Sequence, residues 1–143
     1  MTQLTMMEWL ISYADTDAGG VVYHGRYIEQ AERSRHRLLL DINHPFSKIE
    51  TESICLLVVR AINANYQKPA FLGQKLQVAT RIQKLSEAYS IWETRFEYQS
   101  ECLCLIAAKL VCLSAQTRTL RTMPENLYQS LLTLTDRECC AVS

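Results

Sequence analysis

The sequence predicts an α+β fold in which one long central helix is wrapped by a curved five-stranded antiparallel sheet. Three observations point there: a period-two apolar alternation over residues 7–13, a Glu-, Gln-, Ala-, Arg- and Leu-rich stretch over 24–40, and four strand-like runs after Pro45. The 143 residues, with no internal repeat, read as a single domain spanning 1–143.

In the first run, Met7, Trp9, Ile11 and Tyr13 alternate with Glu8, Leu10 and Ser12, the signature of a half-buried strand. Asp15-Thr16-Asp17-Ala18-Gly19-Gly20 follows, built from turn formers: Gly reaches φ > 0 without steric cost, and Asp bonds neighbouring backbone. The helix over 24–40 sets Ile28, Ala31, Leu38 and Leu39 near one face and Glu29, Arg33 and Arg37 away from it, with Glu29 and Arg33 at i, i+4. Runs 54–67, 74–85, 89–100 and 103–115 come next, separated by 69–73, 86–88 and Glu101. The last two links are short enough to be hairpins. Run 103–115 is apolar on both alternating faces, which predicts a strand covered on both sides. Thr122-Met123-Pro124-Glu125 has the form of a capping box with an early proline, and Leu127, Leu131 and Leu134 continue at helical spacing. A short C-terminal helix is expected, with 136–143 as a frayed tail.

Composition narrows the function. Fifteen basic and fifteen acidic residues give a formal net charge of zero, so there is no electrostatic footprint for nucleic acid. With 48% hydrophobic residues, four Gly and three Pro, the chain is neither disordered nor fibrous. The longest apolar run, 102–108, stops at Lys109, far short of the roughly 18 residues of a membrane span. The opening MTQLTMMEWL has no basic segment and is interrupted by Glu8, so a cytoplasmic location is expected. Cys55, Cys102, Cys104, Cys112, Cys139 and Cys140 lack framework spacing and read as reduced thiols. Cys102 and Cys104 share one strand face, and His36 and His44 lie eight residues apart, so no metal is expected. Trp92, Phe96 and Tyr98 share a strand face and read as core or subunit contact.

The most unusual stretch runs from Tyr13 to His24, where two carboxylates, two glycines and a histidine crowd the entry to a helix. A helix N-terminus presents unsatisfied N–H groups and partial positive charge, so the backbone from Val22 to His24 suits a carbonyl or a developing oxyanion. Asp15 or Asp17 would direct water at the polarised carbon or attack it, with His24 assisting proton transfer. The same residues also suit an ordinary capped turn, and local chemistry leaves both readings open.

D-T-D-A-G-G-V-V-Y-H over 15–24, preceded by Tyr13 and followed by Tyr27 and the Glu32-Arg33 pair, closely resembles the signature of hotdog-fold acyl-CoA thioesterases. The likeness is nearest to the branch associated with the Tol-Pal system, akin to the 4-hydroxybenzoyl-CoA thioesterases. Asn65-Tyr66-x-x-Pro69-Ala70 and the strand pattern over 73–113 resemble the same family. The resemblance implies an enzyme that hydrolyses fatty or short-chain acyl-CoA to free acid and CoA. On it, Asp17 is the catalytic carboxylate, as general base or nucleophile, and the His24 backbone N–H polarises the thioester carbonyl. The side chains of Tyr13 and His24 assist, Gly19, Gly20, Val22 and Tyr23 border the substrate, and Asp15 shapes the turn.

The resemblance also implies a CoA tail running toward basic groups, for which Arg60, Lys68, Arg81, Lys84, Arg118 and Arg121 are available, with Ser86 in the adjoining turn. Lys84-Leu85-Ser86-Glu87-Ala88 departs from the basic cluster of the hydroxybenzoyl-CoA enzymes and does not support an aromatic acyl group. No cofactor is implied beyond the CoA of the substrate. The expected partners are acyl-CoA or an acyl carrier protein and further copies of the chain, as a homodimer or homotetramer whose pairing covers the open sheet edges. Two alternatives share the fold: a non-hydrolytic module that binds acyl-CoA or acyl carrier protein, and a dehydratase or hydratase, against which the Asp17-before-helix motif argues.

Overall fold

The computed structural model describes residues 6–141, with side chains through Thr135. The strands are β1 (Met6–Leu10), β2 (Cys55–Tyr66), β3 (Lys75–Leu85), β4 (Tyr89–Tyr98) and β5 (Glu101–Ser114). They form one antiparallel sheet in the order β1-β3-β4-β5-β2. The helices are α1 (His24–Asp41), α2 (Phe46–Glu52) and α3 (Glu125–Ala141). The α+β arrangement and the five-stranded sheet stand as the sequence predicts.

The apolar stripe of α1 buries Tyr27, Ala31, Leu38 and Leu39, while Glu29, Arg33 and Arg37 face solvent. The helix stops where Asn43 turns left-handed at φ 62, a role that Asn fills at helix ends. Around the C-terminal half of α1, Leu38 and Leu39 pack with Trp92, Ile82, Leu110 and the Leu127, Leu131 and Leu134 stripe of α3. Around the N-terminal half, Tyr27 and Ala31 pack with Trp9, Phe96, Leu76 and Ile106. Ser34, Thr80 and Thr94 are buried together, their hydroxyls bonded to one another at 2.6 and 2.7 Å, so no polar atom among them is left unpaired.

Several elements differ from the sequence reading. The first strand ends at Leu10, and Tyr13–Asp15 forms a 3₁₀ turn, because Ser12 N–H donates to Asp15 Oδ2 at 2.9 Å and curls the chain. Helix α2 occupies a segment with no predicted element; Pro45, at φ −61, opens it, and Ile49 is its buried anchor. Glu101 is no linker but the first residue of β5, since Gln99 and Ser100 make a two-residue turn at φ 50 and 65. One face of β5 is buried, but Leu105, Ala107, Val111 and Leu113 on the other are only half-buried, so this chain does not cover both sides. The backbone of α3 continues through Ala141 rather than fraying at Asp136; residues 142–143 lie outside the described residues. Glu29 pairs with Arg26 at 2.6 Å rather than with Arg33.

Cys55, Cys102, Cys104 and Cys112 are free thiols, as expected; the side chains of Cys139 and Cys140 lie outside the described residues. Trp92 and Phe96 are fully buried, in keeping with the core reading. No helix among the described residues is long and apolar enough to cross a membrane.

Candidate functional site

The two carboxylates of the loop have different work. Asp15 accepts from Ser12 N–H at 2.9 Å and Trp9 Nε1 at 3.3 Å through Oδ2, and its carbonyl accepts the Tyr23 N–H at 2.9 Å. It therefore ties together the end of β1, the 3₁₀ turn and the start of α1. Asp17 is exposed and opens the next turn: its carbonyl accepts Gly20 N–H at 3.0 Å, and its Oδ1 accepts Gly19 N–H at 3.0 Å. Its Oδ2 has no partner among the described residues. Gly20 sits at φ 75, which L side chains rarely adopt, so this position needs glycine for its backbone.

After the turn, Thr16 and Val22 form an antiparallel bridge, and the Val22 N–H donates to Ala70 O at 3.0 Å. Val22 is buried, and its amide is spent on that bond. The Tyr23 amide is spent on Asp15, which leaves the His24 and Gly25 N–H groups without partners among the described residues. The polarising backbone expected over Val22 to His24 thus narrows to two amides at the first turn of α1.

The His24 ring is exposed, lies 4.4 Å from the Tyr23 ring and meets the Tyr66 ring edge-on at 6.2 Å. Tyr66, 42 residues away on the edge strand β2, donates its hydroxyl to His24 O at 2.9 Å. An open cleft of about 240 Å³ lies here, lined by Val21, Val22, His24, Tyr27, Tyr66 and the 67–69 segment. Tyr27 forms the floor; burial pushes its hydroxyl pKa up to about 12, so it stays protonated near neutral pH. Burial also raises the Tyr66 pKa. A Cβ on Gly25 would stand 2.7 Å from the Tyr23 ring, so the missing side chain lets that ring lie against the helix start.

Among the other predicted site residues, Gly19 and Gly20 form the Asp17 turn, and Tyr23 is exposed beside the cleft. Tyr13 is 82% exposed on the 3₁₀ turn and does not line the cleft. Lys68 does line it, with its ammonium 2.5 Å from Glu101. Arg60 is exposed at the irregularity in β2 between Val59 and Ala61. Lys84, Ser86 and Arg118 are not brought to the cleft by this chain. Lys84 lies 5.6 Å over the Tyr89 ring; Ser86 Oγ accepts from Tyr89 N–H in the β3–β4 turn; Arg118, at φ 59, follows β5 and donates its N–H to Ser114 O. That turn packs beside the start of α3, where Glu87 O accepts Met123 N–H, at the opposite end of the sheet from Phe96 and Tyr27. Arg81 is engaged with Glu93 at 3.0 Å, and Arg121 donates to Thr122 O.

Sequence reasoning did not place Val21, Tyr27, Tyr66, Gln67 or Pro69 in the site, although all five line the cleft. Tyr66 carried a signal, the Asn65-Tyr66-x-x-Pro69-Ala70 segment, but nothing in the spacing shows which end of α1 it meets. Among the described residues, no group of three or more His, Cys, Asp and Glu side chains stands together as a metal site.

The chain is also similar to known proteins. The family described as the thioesterase-like superfamily matches residues 11–131. The chain is 32% identical over 102 residues to "Acyl-CoA thioesterase YbgC" of Haemophilus influenzae, covering 71% of this chain and 75% of that protein. It is 31% identical over 128 residues to "Acyl-CoA thioester hydrolase YbgC" of Escherichia coli O6:H1, covering 86% and 93%. Its fold matches the crystal structure of a DHNA-CoA thioesterase from Staphylococcus aureus with a TM-score of 0.86 at 20% identity, over 99% of this chain and 97% of that one.

Proposed function

The chain belongs to the thioesterase-like superfamily and has its hotdog fold, and from that premise we propose that it is an acyl-CoA thioesterase, hydrolysing fatty or short-chain acyl-CoA to the free acid and CoA. The observation that carries this reading is the exposed Asp17 carboxylate, with one oxygen unengaged, on a turn that leads directly into a helix start with two unspent amides. The thioester carbonyl oxygen takes the His24 and Gly25 N–H groups, which stabilise negative charge as it develops. Asp17 takes a proton from water as the oxygen attacks the carbonyl carbon, or attacks that carbon itself, in which case water hydrolyses the resulting anhydride. The tetrahedral intermediate collapses with loss of the CoA thiolate, which takes its proton from Asp17 in the first route and from the water that hydrolyses the anhydride in the second. His24 and Tyr66 orient the acyl group across the cleft.

We place the reaction in the cytoplasm, supported by the free thiols of Cys55, Cys102, Cys104 and Cys112 among the described residues, and read the working form as a homodimer or homotetramer. Strand β2 supports the latter: it is a 12-residue edge strand with exposed Val58, Val59, Ile62 and Tyr66, the kind of edge that a second copy covers. A partner copy would also bring basic groups such as Lys84 and Arg118 within reach of a CoA tail. The test is thioester loss followed by ultraviolet absorbance over short, long, hydroxylated and aromatic acyl-CoAs, with acyl carrier protein thioesters alongside. Turnover of aliphatic acyl-CoA is expected. Tight acyl-CoA binding without turnover would overturn it in favour of a binding module.

A further inference from the structure

A second cavity, of about 260 Å³, lies between the C-terminal half of α1, helix α2 and the first half of β2, and shares no lining residue with the cleft at His24. Its walls are mainly apolar, with Phe46, Ile49, Leu57 and Val59 among them. Arg35 also lines it, and Arg35 is 3% exposed.

Among the described residues Arg35 is the one Arg or Lys that is buried. It has no hydrogen-bond or ion-pair partner among the described residues, and its Nε is buried and orphaned. Burial lowers its pKa, and Glu32 partly offsets that through space, but a guanidinium remains charged at any pH where the fold persists. An uncompensated buried charge is costly, and a planar guanidinium matches a carboxylate with two parallel hydrogen bonds. Glu32 and Glu50 line the same cavity but are exposed, and neither reaches Arg35 as an ion pair.

We propose that this cavity binds an aliphatic carboxylate, with its carboxylate on the Arg35 guanidinium and its hydrocarbon along Phe46, Ile49, Leu57 and Val59. The inference goes beyond the hydrolytic reading and does not depend on it, because a chain without turnover would still bind the acid. Two sources share this chemistry. One is a free acid; the other is the far end of an acyl group whose thioester sits at the N-terminus of α1, since Arg35 lies eleven residues beyond His24, about 16 Å along the helix.

The test is calorimetric titration of the full chain with octanoate and, as the uncharged control, octanol. Octanoate is expected to bind about tenfold or more tightly than octanol, with the difference abolished in Arg35→Met and partly kept in Arg35→Lys. Hydrolysis rates for tetradecanoyl-CoA, whose acyl chain is long enough to span that distance, and its ω-carboxyl counterpart then separate the sources. A preference for the ω-carboxyl substrate that disappears in Arg35→Met assigns the site to the substrate's far end, and equal rates with octanoate still bound assign it to a free acid. Equal binding of octanoate and octanol by wild type would overturn the proposal, whatever the variants do. So would an Arg35→Met chain that loses its oligomeric state by light scattering while wild type ignores octanoate, because the anion would then be a side chain of a second copy.

Discussion

The two ends of α1 were built from one continuous helix and came out opposite. At its C-terminal end Leu38 and Leu39 are sealed beneath α2, α3 and Trp92, with almost no exposure. At its N-terminal end Asp17, Ala18, Gly19, Tyr23 and His24 are all exposed, and two amides and a carboxylate oxygen carry no bond. The closed end is filled by apolar packing; the open end leaves backbone and carboxylate groups unbonded. Asp15 marks the boundary, a carboxylate in the open loop that is nevertheless committed to structure.

This contrast can be broken by substitution at either end. Trp92→Ala at the closed end empties a fully buried site and removes the Nε1–H donated to Ser90 Oγ at 2.8 Å. A loss of about 3–5 kcal/mol is expected by denaturant titration, with turnover per folded molecule unchanged; lost turnover in the folded fraction would mean that the two ends are coupled. Asp15→Ala removes both side-chain bonds and leaves the buried Trp9 indole N–H unpaired, so about 1–3 kcal/mol of stability is expected to go, with activity falling only as the turn loosens. Gly20→Ala meets no steric contact, yet its φ of 75 costs about 1–2 kcal/mol, readable as a modest drop in melting temperature; an unchanged melting temperature would show that the turn had rearranged.

The smallest effect concerns pH at the closed end. His44 is buried, bonds Ser130 Oγ at 3.0 Å, and has its pKa lowered by burial and then by Lys48, with Glu52 opposing. Its neutral form is therefore favoured in the fold. Its stabilising contribution is fully present above the unfolded value of about 6.5 and is lost as pH falls from there through the lower folded pKa. His44→Gln is expected to flatten that part of the stability profile, as measured by melting temperature between neutral and mildly acidic pH.

Much of the contrast was legible in the residues themselves. Period-two and period-3.6 patterns located the sheet and α1, and the density of turn formers from Asp15 to Gly20 located the open loop. Helix α2 was not legible because its seven residues bury only Ile49, too few for a periodicity. The roles of Asp15 and Asp17 looked interchangeable by composition; the family resemblance singled out Asp17, and the Trp9 and Ser12 donors that the fold brings to Asp15 supply a physical difference between them. Tyr66 meets His24 through strand placement, and Lys84, Ser86 and Arg118 fall at the far end for the same reason. Arg35 looks like any solvated helix arginine until α2 and β2 close over it.

The central claim is that Asp17 reacts whereas Asp15 only builds. Asp17→Asn keeps the Oδ1 acceptor for Gly19 N–H, so the turn survives while the charge is lost. Its most direct test is steady-state hydrolysis of an aliphatic acyl-CoA, with melting temperature measured on the same sample. The expected result is a fall in turnover on the order of 10²-fold or more with the melting temperature unchanged; turnover near that of wild type would contradict the claim and remove Asp17 from the chemistry.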